Sequence, residues 1–339
     1  MKIVGSSKRS SWKSRLAAPL ARSVTLAVKL AVTLAVTLPF TLLMALTAQA
    51  EDEIYLATLV DDKATDVVNI TNRQGYDNQP HFTPDSKFLL FTAMFTTKQG
   101  EETAQQTDSM RFDIANAKLE NLTESTASEY SPTVTPDGEH FSVIRVGSDG
   151  RQLLWQYPLE ERKNPGNSLY PELFDIGYHV WLNEEELLLF VLGDPMELQR
   201  ADIDAKESEL VDINIGRTLR QVPGTELFSY NKEHGQGWQM FIYNPDEKKT
   251  YGNINLPSPN MYYAWHQDGS LLTAIGNKVY QSKVNLTPTA EAITLKQPEV
   301  SGSKWAVWHD FSDSCDGNIT RMVMSPDKSY FAFVCNTAE

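Results

Sequence analysis

The chain has 339 residues, 30 of them Lys or Arg and 44 Asp or Glu, for a formal net charge of −14. Residues 1–50 hold seven of the basic residues and no acid, so the remainder carries 23 against 44, a net charge of −21. Such an acidic body repels nucleic-acid backbones and anionic lipid surfaces, and no Lys/Arg block compensates.

The first feature in chain order is a leader. Lys2, Lys8, Arg9, Lys13, Arg15, Arg22 and Lys29 are distributed ahead of and into the apolar stretch that closes with LAVTLAVTLPFTLLMALTAQA, ending Ala48-Gln49-Ala50. A basic segment, an apolar segment and an A-x-A site are the parts of a secretory signal peptide, assigned here to residues 1–50. The basic segment is long, so an uncleaved anchor is the alternative. Cleavage leaves residues 51–339 as an exported domain, periplasmic or secreted, with no membrane span.

Past the leader the pattern is all-β: short alternating or apolar runs separated by Gly, Pro, Asn, Asp and Ser clusters. Ile54–Leu59 and Asp66–Thr71 read as two strands with no hairpin before them. Then comes HFTPDSKFLLFTA from His81, which returns as TVTPDGEHFSVIR from Thr133 and VMSPDKSYFAFVC from Val323. Proline presets a type I turn, the preceding hydroxyl can cap it, and a strand lies on either side. Weaker copies centre on Asn183-Glu184 and Gln267-Asp268. Setting Asp85, Asp137, Glu184, Asp268 and Asp327 in register puts Phe82, Val134, Trp181, Trp265 and Met324 three positions earlier. The same alignment puts Phe91, Val143, Phe190, Ala274 and Phe333 six positions later.

These turns recur roughly every 50 residues, except that Glu184 and Asp268 stand nearly twice as far apart, and Arg220–Tyr230 supplies a degenerate copy with Pro223-Gly224 as its turn. Six units of that length are the signature of a six-bladed β-propeller. The last unit stops after its second strand, so Ile54–Leu59 and Asp66–Thr71 are expected to complete the final blade and close the ring. Cys315 and Cys335, the only cysteines, are expected to form a disulfide at that seam in an exported chain.

The phrases NQPHFTPDSKFLLFTA, YSPTVTPDGEHFSVI and ITRMVMSPDKSYFAFV resemble the Pro-Asp, WD-like repeats of TolB-type propellers, in which Leu-Thr closes the preceding blade. Here that pair is Ile70-Thr71 and Leu122-Thr123. The resemblance implies the fold across most of residues 51–339. It does not choose among scaffolds, binding proteins and the gating domains of exopeptidases, all of which use such blades. TolB proper carries a further N-terminal domain and partner-binding segment, whereas strand follows the cleavage site here almost at once. Docking to a Tol–Pal system is therefore not carried over.

No G-x-S-x-G elbow is present for a serine hydrolase. His81, His179 and His266 fall in or beside inner strands and are weak metal candidates, because no H-x-x-x-H pairing accompanies them. The acidic stretch His309–Gly317 has its acids three apart rather than two, which reads as a solvated loop and not as a calcium site. Four Asn-x-Thr triplets start at Asn69, Asn121, Asn285 and Asn318, two of them where the repeat itself places Thr. The starts of the inner strands offer Gln79, Tyr130, Tyr178, Tyr262 and Arg321, with Arg217 and Arg220 from the degenerate blade. Tyrosines and arginines at a channel mouth can stack on a ligand and hold a peptide carboxylate, a sugar acid or a phosphate.

The sequence thus predicts an exported binding or scaffold protein of the cell envelope, engaging a protein or peptide partner. The alternative is a hydrolase or lyase acting on a sugar or peptide fragment in the channel. No catalytic residue, cofactor or nucleic-acid partner is predicted, and nothing in the sequence specifies an oligomeric state.

Overall fold

A computed structural model describes residues 51–99, 102–161, 164–235, 237–257, 259, 261–284, 288–289, 292–293 and 305–337. The leader and Asn285 lie outside the described residues. Six four-stranded antiparallel sheets form the ring of a six-bladed β-propeller. Blade one comprises Asp77–Phe82, Phe88–Gln99, Glu102–Asp113 and Lys118–Asn121, from the axis outward. Blade two comprises Ser128–Val134, His140–Val146, Gln152–Pro158 and Asn167–Ser168. Ile176–Trp181, Glu186–Val191, Glu197–Asp202 and Glu207–Ile213 make blade three. Blade four is Ile215–Gln221, Phe228–His234, Gly237–Asn244 and Lys249–Asn255, the degenerate copy included. In blade five, Tyr263–Trp265, Ser270–Ile275 and Lys278–Lys283 are followed by Ala306–Asp310.

Blade six is composite. Asn318–Met324 and Tyr330–Asn336 supply its inner strands, and Asp52–Val60 and Lys63–Asn69 its outer ones. Tyr55 pairs with Phe333 and stacks on its ring at 5.4 Å. Closure gives every blade a neighbouring blade on both sides, and blade six packs on blade five and on blade one through apolar clusters. The seam carries the expected Cys315–Cys335 disulfide, with Cα atoms 5.8 Å apart and a sequence separation of 20. Closing a loop of that length removes chain entropy from the unfolded state worth ~3 kcal/mol.

Local chemistry explains the repeated phrase. Thr83, Thr135 and Ser325 each donate a hydroxyl to the turn aspartate, at 2.7, 2.6 and 2.7 Å. That aspartate accepts the backbone N–H two residues on, from Lys87, Glu139 and Ser329. The residue after the aspartate is left-handed in all three: Ser86, Gly138 and Lys328 at φ of 60°, 70° and 68°. The Asn-x-Thr triplets at Asn69 and Asn121 are blade-end turns. Each carboxamide oxygen accepts two backbone N–H groups, from Thr71 and Asn72 or from Thr123 and Glu124.

Apolar clusters fill the spaces between adjacent blades, so each sheet is buried on both faces. Phe82, Leu89 and Phe91 pack on blade six through Ile54, Leu56 and Val334, whereas Leu90 faces Val134, Phe141 and Val143 of blade two. The anticipated register needs correction in blades three and five. Phe82 pairs with Leu89 and Met324 with Phe331, but Trp181 pairs with Leu187 and Trp265 with Leu271. The two turns that lack proline are one residue shorter. A one-residue change flips every following side chain to the other face. Phe190 and Ala274 therefore point toward the next blade, and Leu189 and Thr273 take the places that correspond to Phe91. These same blades carry tryptophan before the turn. Trp181 donates its indole N–H to Ser142 at 2.9 Å and Trp265 to Ser229 at 2.8 Å, bolting each blade to the one before it.

Candidate functional site: an arginine-lined axial cavity

In five of the six inner strands the pairing register slips partway along, between Asn78 and His81, Tyr130 and Thr133, Ile176 and Tyr178, Ile215 and Leu219, and Ile319 and Met322. Such bulges bend a strand and re-aim its side chains. Here they turn residues toward the propeller axis, and Gln79 and Ser131 adopt left-handed φ values of 60° and 55° to do so. The inner pair of blade five keeps its register, and its short inner strand begins one residue after Tyr262.

All six blades line one narrow cavity of about 50 Å³ on the axis. Gln79 and His81 come from blade one, Ser131 and Thr133 from blade two, and Tyr178 and His179 from blade three. Arg217, Thr218 and Arg220 enter from blade four, Tyr262 from blade five and Arg321 from blade six. Every member of the sequence-derived ring lies here except Tyr130. Ser131 is the residue of blade two that corresponds to Gln79, each preceding a proline, so Tyr130 stands one step outward. It borders a wider mouth cavity of about 370 Å³ together with Tyr76, Ile144, Val146 and Leu192, which shares Gln79, Tyr178 and Arg217 with the narrow one.

Arg321 is buried and tightly held. It donates to Asn78 Oδ1 at 3.1 Å and Tyr178 Oη at 2.8 Å, and its guanidinium lies 4.3 Å from the Tyr262 ring centroid and 5.3 Å from that of Tyr178. Asn78 in turn donates to Asp52 Oδ2 at 2.7 Å, and Asp52 Oδ1 accepts from Asn336. Burial pulls the Arg321 pKa down, but Tyr178, Tyr262, Tyr76 and Asp52 outweigh it and the net shift is upward. Burial, and then Arg321 itself, lower the pKa of Arg220. Arg220 donates to the Leu219 carbonyl at 3.2 Å, while its Nε is buried without a partner among the described residues. Arg217 is exposed and makes no hydrogen bond or ion pair among the described residues.

No carboxylate lines the narrow cavity. The two histidines there do not add charge at neutral pH. Burial, with Arg220, brings His81 down to about 4, and burial, with His81, brings His179 down to about 3. His179 Nε2 lies 2.7 Å from Ser142 Oγ, the hydroxyl that also accepts from Trp181. His266 is elsewhere: it sits by the turn of blade five, 2.6 Å from Asp62 and 2.8 Å from Asp268. Thus two of the three metal candidates meet and the third does not. Among the described residues no group of three or more His, Cys, Asp or Glu side chains could hold a metal ion. Asp310, in the acidic stretch His309–Gly317, is paired with Lys278 at 2.7 Å.

Sequence reasoning missed Asp52, Asn78, Tyr76 and Ser131. A signal existed for one of them, since setting Asn78-Gln79-Pro80 against Tyr130-Ser131-Pro132 aligns Gln79 with Ser131. Asp52 and Asn78 carry no local mark, because their roles depend on the ring closing.

Six sheets converging on an axial cavity define the class, a six-bladed β-propeller. No family model and no curated protein matches this sequence. Among solved structures, a protein assigned as a TolB from Agrobacterium tumefaciens superposes with a TM-score of 0.57 at 12% identity, over 86% of this chain and 100% of that one. TolB from Acinetobacter baumannii gives 0.45 at 17% identity, over 55% of this chain and 45% of that one. An oligogalacturonate lyase in complex with manganese gives 0.46 at 11% identity, over 80% of each chain. The chain is a TolB-like β-propeller, a likeness of fold.

The three arginines differ in what holds them, and substitution should separate them. Arg217→Ala should change stability by no more than about 0.5 kcal/mol, as at other exposed sites, and Arg321→Ala should cost about 2 kcal/mol or more by stranding Asn78 and Tyr178. Urea unfolding measures both, and equal losses would contradict the assignment. The histidines predict a pH effect. Between the unfolded imidazole value near 6.5 and the depressed folded values, the unfolded chain binds more protons, so acidification destabilises the fold. His81→Gln and His179→Gln should therefore lose less stability than the native chain between pH 7 and pH 4. Parallel curves would refute the burial of these groups.

Proposed function

We propose that this chain is an exported binding protein of the cell envelope, which takes an anionic group of a protein or peptide partner into its axial cavity while the loops around the mouth engage the remainder. One observation carries the reading. Arg217, Arg220 and Arg321 share a cavity without a carboxylate, in a protein whose acids outnumber its bases 44 to 30. Guanidinium groups bind carboxylate or phosphate through charge-assisted, often bidentate hydrogen bonds. Arg321 lowers the pKa of Arg220, a repulsion that a bound anion relieves.

Export is supported by the leader pattern of residues 1–50 and by the disulfide, a bond favoured in oxidising compartments. Among the described residues no helix is long and apolar enough to cross a membrane. An enzyme acting in the channel would need a poised acid–base pair. Besides tyrosine and arginine, the titratable groups lining the narrow cavity are His81 and His179, both held well below neutral pH by burial.

Site-specific photo-crosslinking from Val146 at the mouth, in the native envelope, tests this function. A discrete partner should be captured, and Arg217→Ala should reduce capture about tenfold, the worth of one charge-assisted hydrogen bond. Recovery of uncrosslinked protein alone, together with turnover of a sugar or peptide fragment, would refute it.

A further inference from the structure

Resting on that binding reading, we infer that the anionic group is the free C-terminal carboxylate of a peptide whose last side chain is apolar. An α-carboxylate and its own side chain hang from a single carbon, so a site for both must be a cation pocket opening directly onto an apolar one. The axial cavity and the mouth adjoin, with Gln79, Tyr178 and Arg217 lining both, and the mouth sets apolar side chains beside the polar Tyr76 and Gln152. The mouth has room for a large side chain at about 370 Å³, offers Tyr130, Ile144, Val146 and Leu192 as contacts, and is lined by no carboxylate. The narrow cavity, at about 50 Å³, is of the order of two waters' share of liquid volume. It admits a terminal carboxylate but not a length of chain passing through. An internal Asp or Glu would bring flanking backbone to both sides and put no apolar group beside its charge.

Unused hydrogen-bond donors point to the same place. Gln79 Oε1 is occupied, accepting from Thr92 Oγ1 at 2.7 Å and from the Ser131 N–H at 2.8 Å. Its NH₂ end makes no hydrogen bond among the described residues. Ser131 Oγ and Arg220 Nε are buried without a partner among those residues, and both side chains line the cavity. Buried donors left unsatisfied cost free energy, roughly 1–3 kcal/mol each, and a side-chain rotation that turned them to a carboxylate in the cavity would recover it. Arg217, at the junction, is placed to hold the outer oxygen, and Arg220 and Arg321 supply charge from within.

The test uses a fluorescein-labelled hexapeptide ending in phenylalanine with a free carboxylate, the same peptide as its C-terminal amide, and a version ending in glycine. Each is titrated by anisotropy against the exported protein. The free acid should bind at least tenfold more tightly than the amide and tenfold more tightly than the glycine version. Arg217→Ala should abolish the difference between acid and amide, and Val146→Asp should weaken the phenylalanine peptide selectively. Equal binding of acid and amide, or no binding of the acid, overturns the inference. If inorganic phosphate binds in its place, or partner capture still depends on Arg217, the broader anion-binding reading survives. If Arg217→Ala alters neither experiment, both fall.

Discussion

The strand Asp52–Val60 inserts between Tyr330–Asn336 and Lys63–Asn69, and this pairing of chain start with chain end fixes what the axis contains. It carries Asp52 to the side of Asn78 and Asn336, and Asn78 to the guanidinium of Arg321. Arg321 then reaches Tyr178, three blades around the ring. A residue at the seam is thus tied through two hydrogen-bonded side chains to the far wall of the cavity. Without closure Asp52 would not reach Asn78, and the carboxamide that accepts from Arg321 would lose the bond that orients it.

Holding a buried cation away from any carboxylate runs against the usual economy of protein interiors, where charges pair. Arg321 is tolerated because two aromatic faces, a carboxamide oxygen and a phenol share its charge, with Asp52 acting at one remove. Arg220 has fewer partners, and its pKa is accordingly lowered. A guanidinium absorbs such a shift and stays charged, where an ammonium would not. The cavity therefore keeps its positive sign at any physiological pH without help from His81 or His179.

The architecture was legible because its determinants are local. The Thr-Pro-Asp turn is written in four adjacent residues, and the structure places each hydroxyl, aspartate and left-handed position where that chemistry requires. Register in blades three and five was not legible from the same alignment. The proline-less turns are shorter by one residue, and with both sheet faces buried, Phe190 and Leu189 satisfy the hydrophobic pattern equally well. At the site, Gln79, Tyr178, Arg217, Arg220, Tyr262 and Arg321 could be found by counting from the turn. Tyr130 was one residue astray, because the bulge before Pro132 brings Ser131 to the axis. The Asp52–Asn78–Arg321 connection could not be read at all, since it joins residues more than 200 positions apart.

The central claim is that the axial cavity is a cationic site awaiting an anion, and thermal unfolding in sulfate against chloride at equal ionic strength tests it most directly. Sulfate excluded from the surface stabilises proteins generally, so the comparison must be with a variant lacking Arg217 and Arg220. Site binding predicts a saturable rise in Tm for the native chain beyond that of the variant. An identical rise in both would contradict the account.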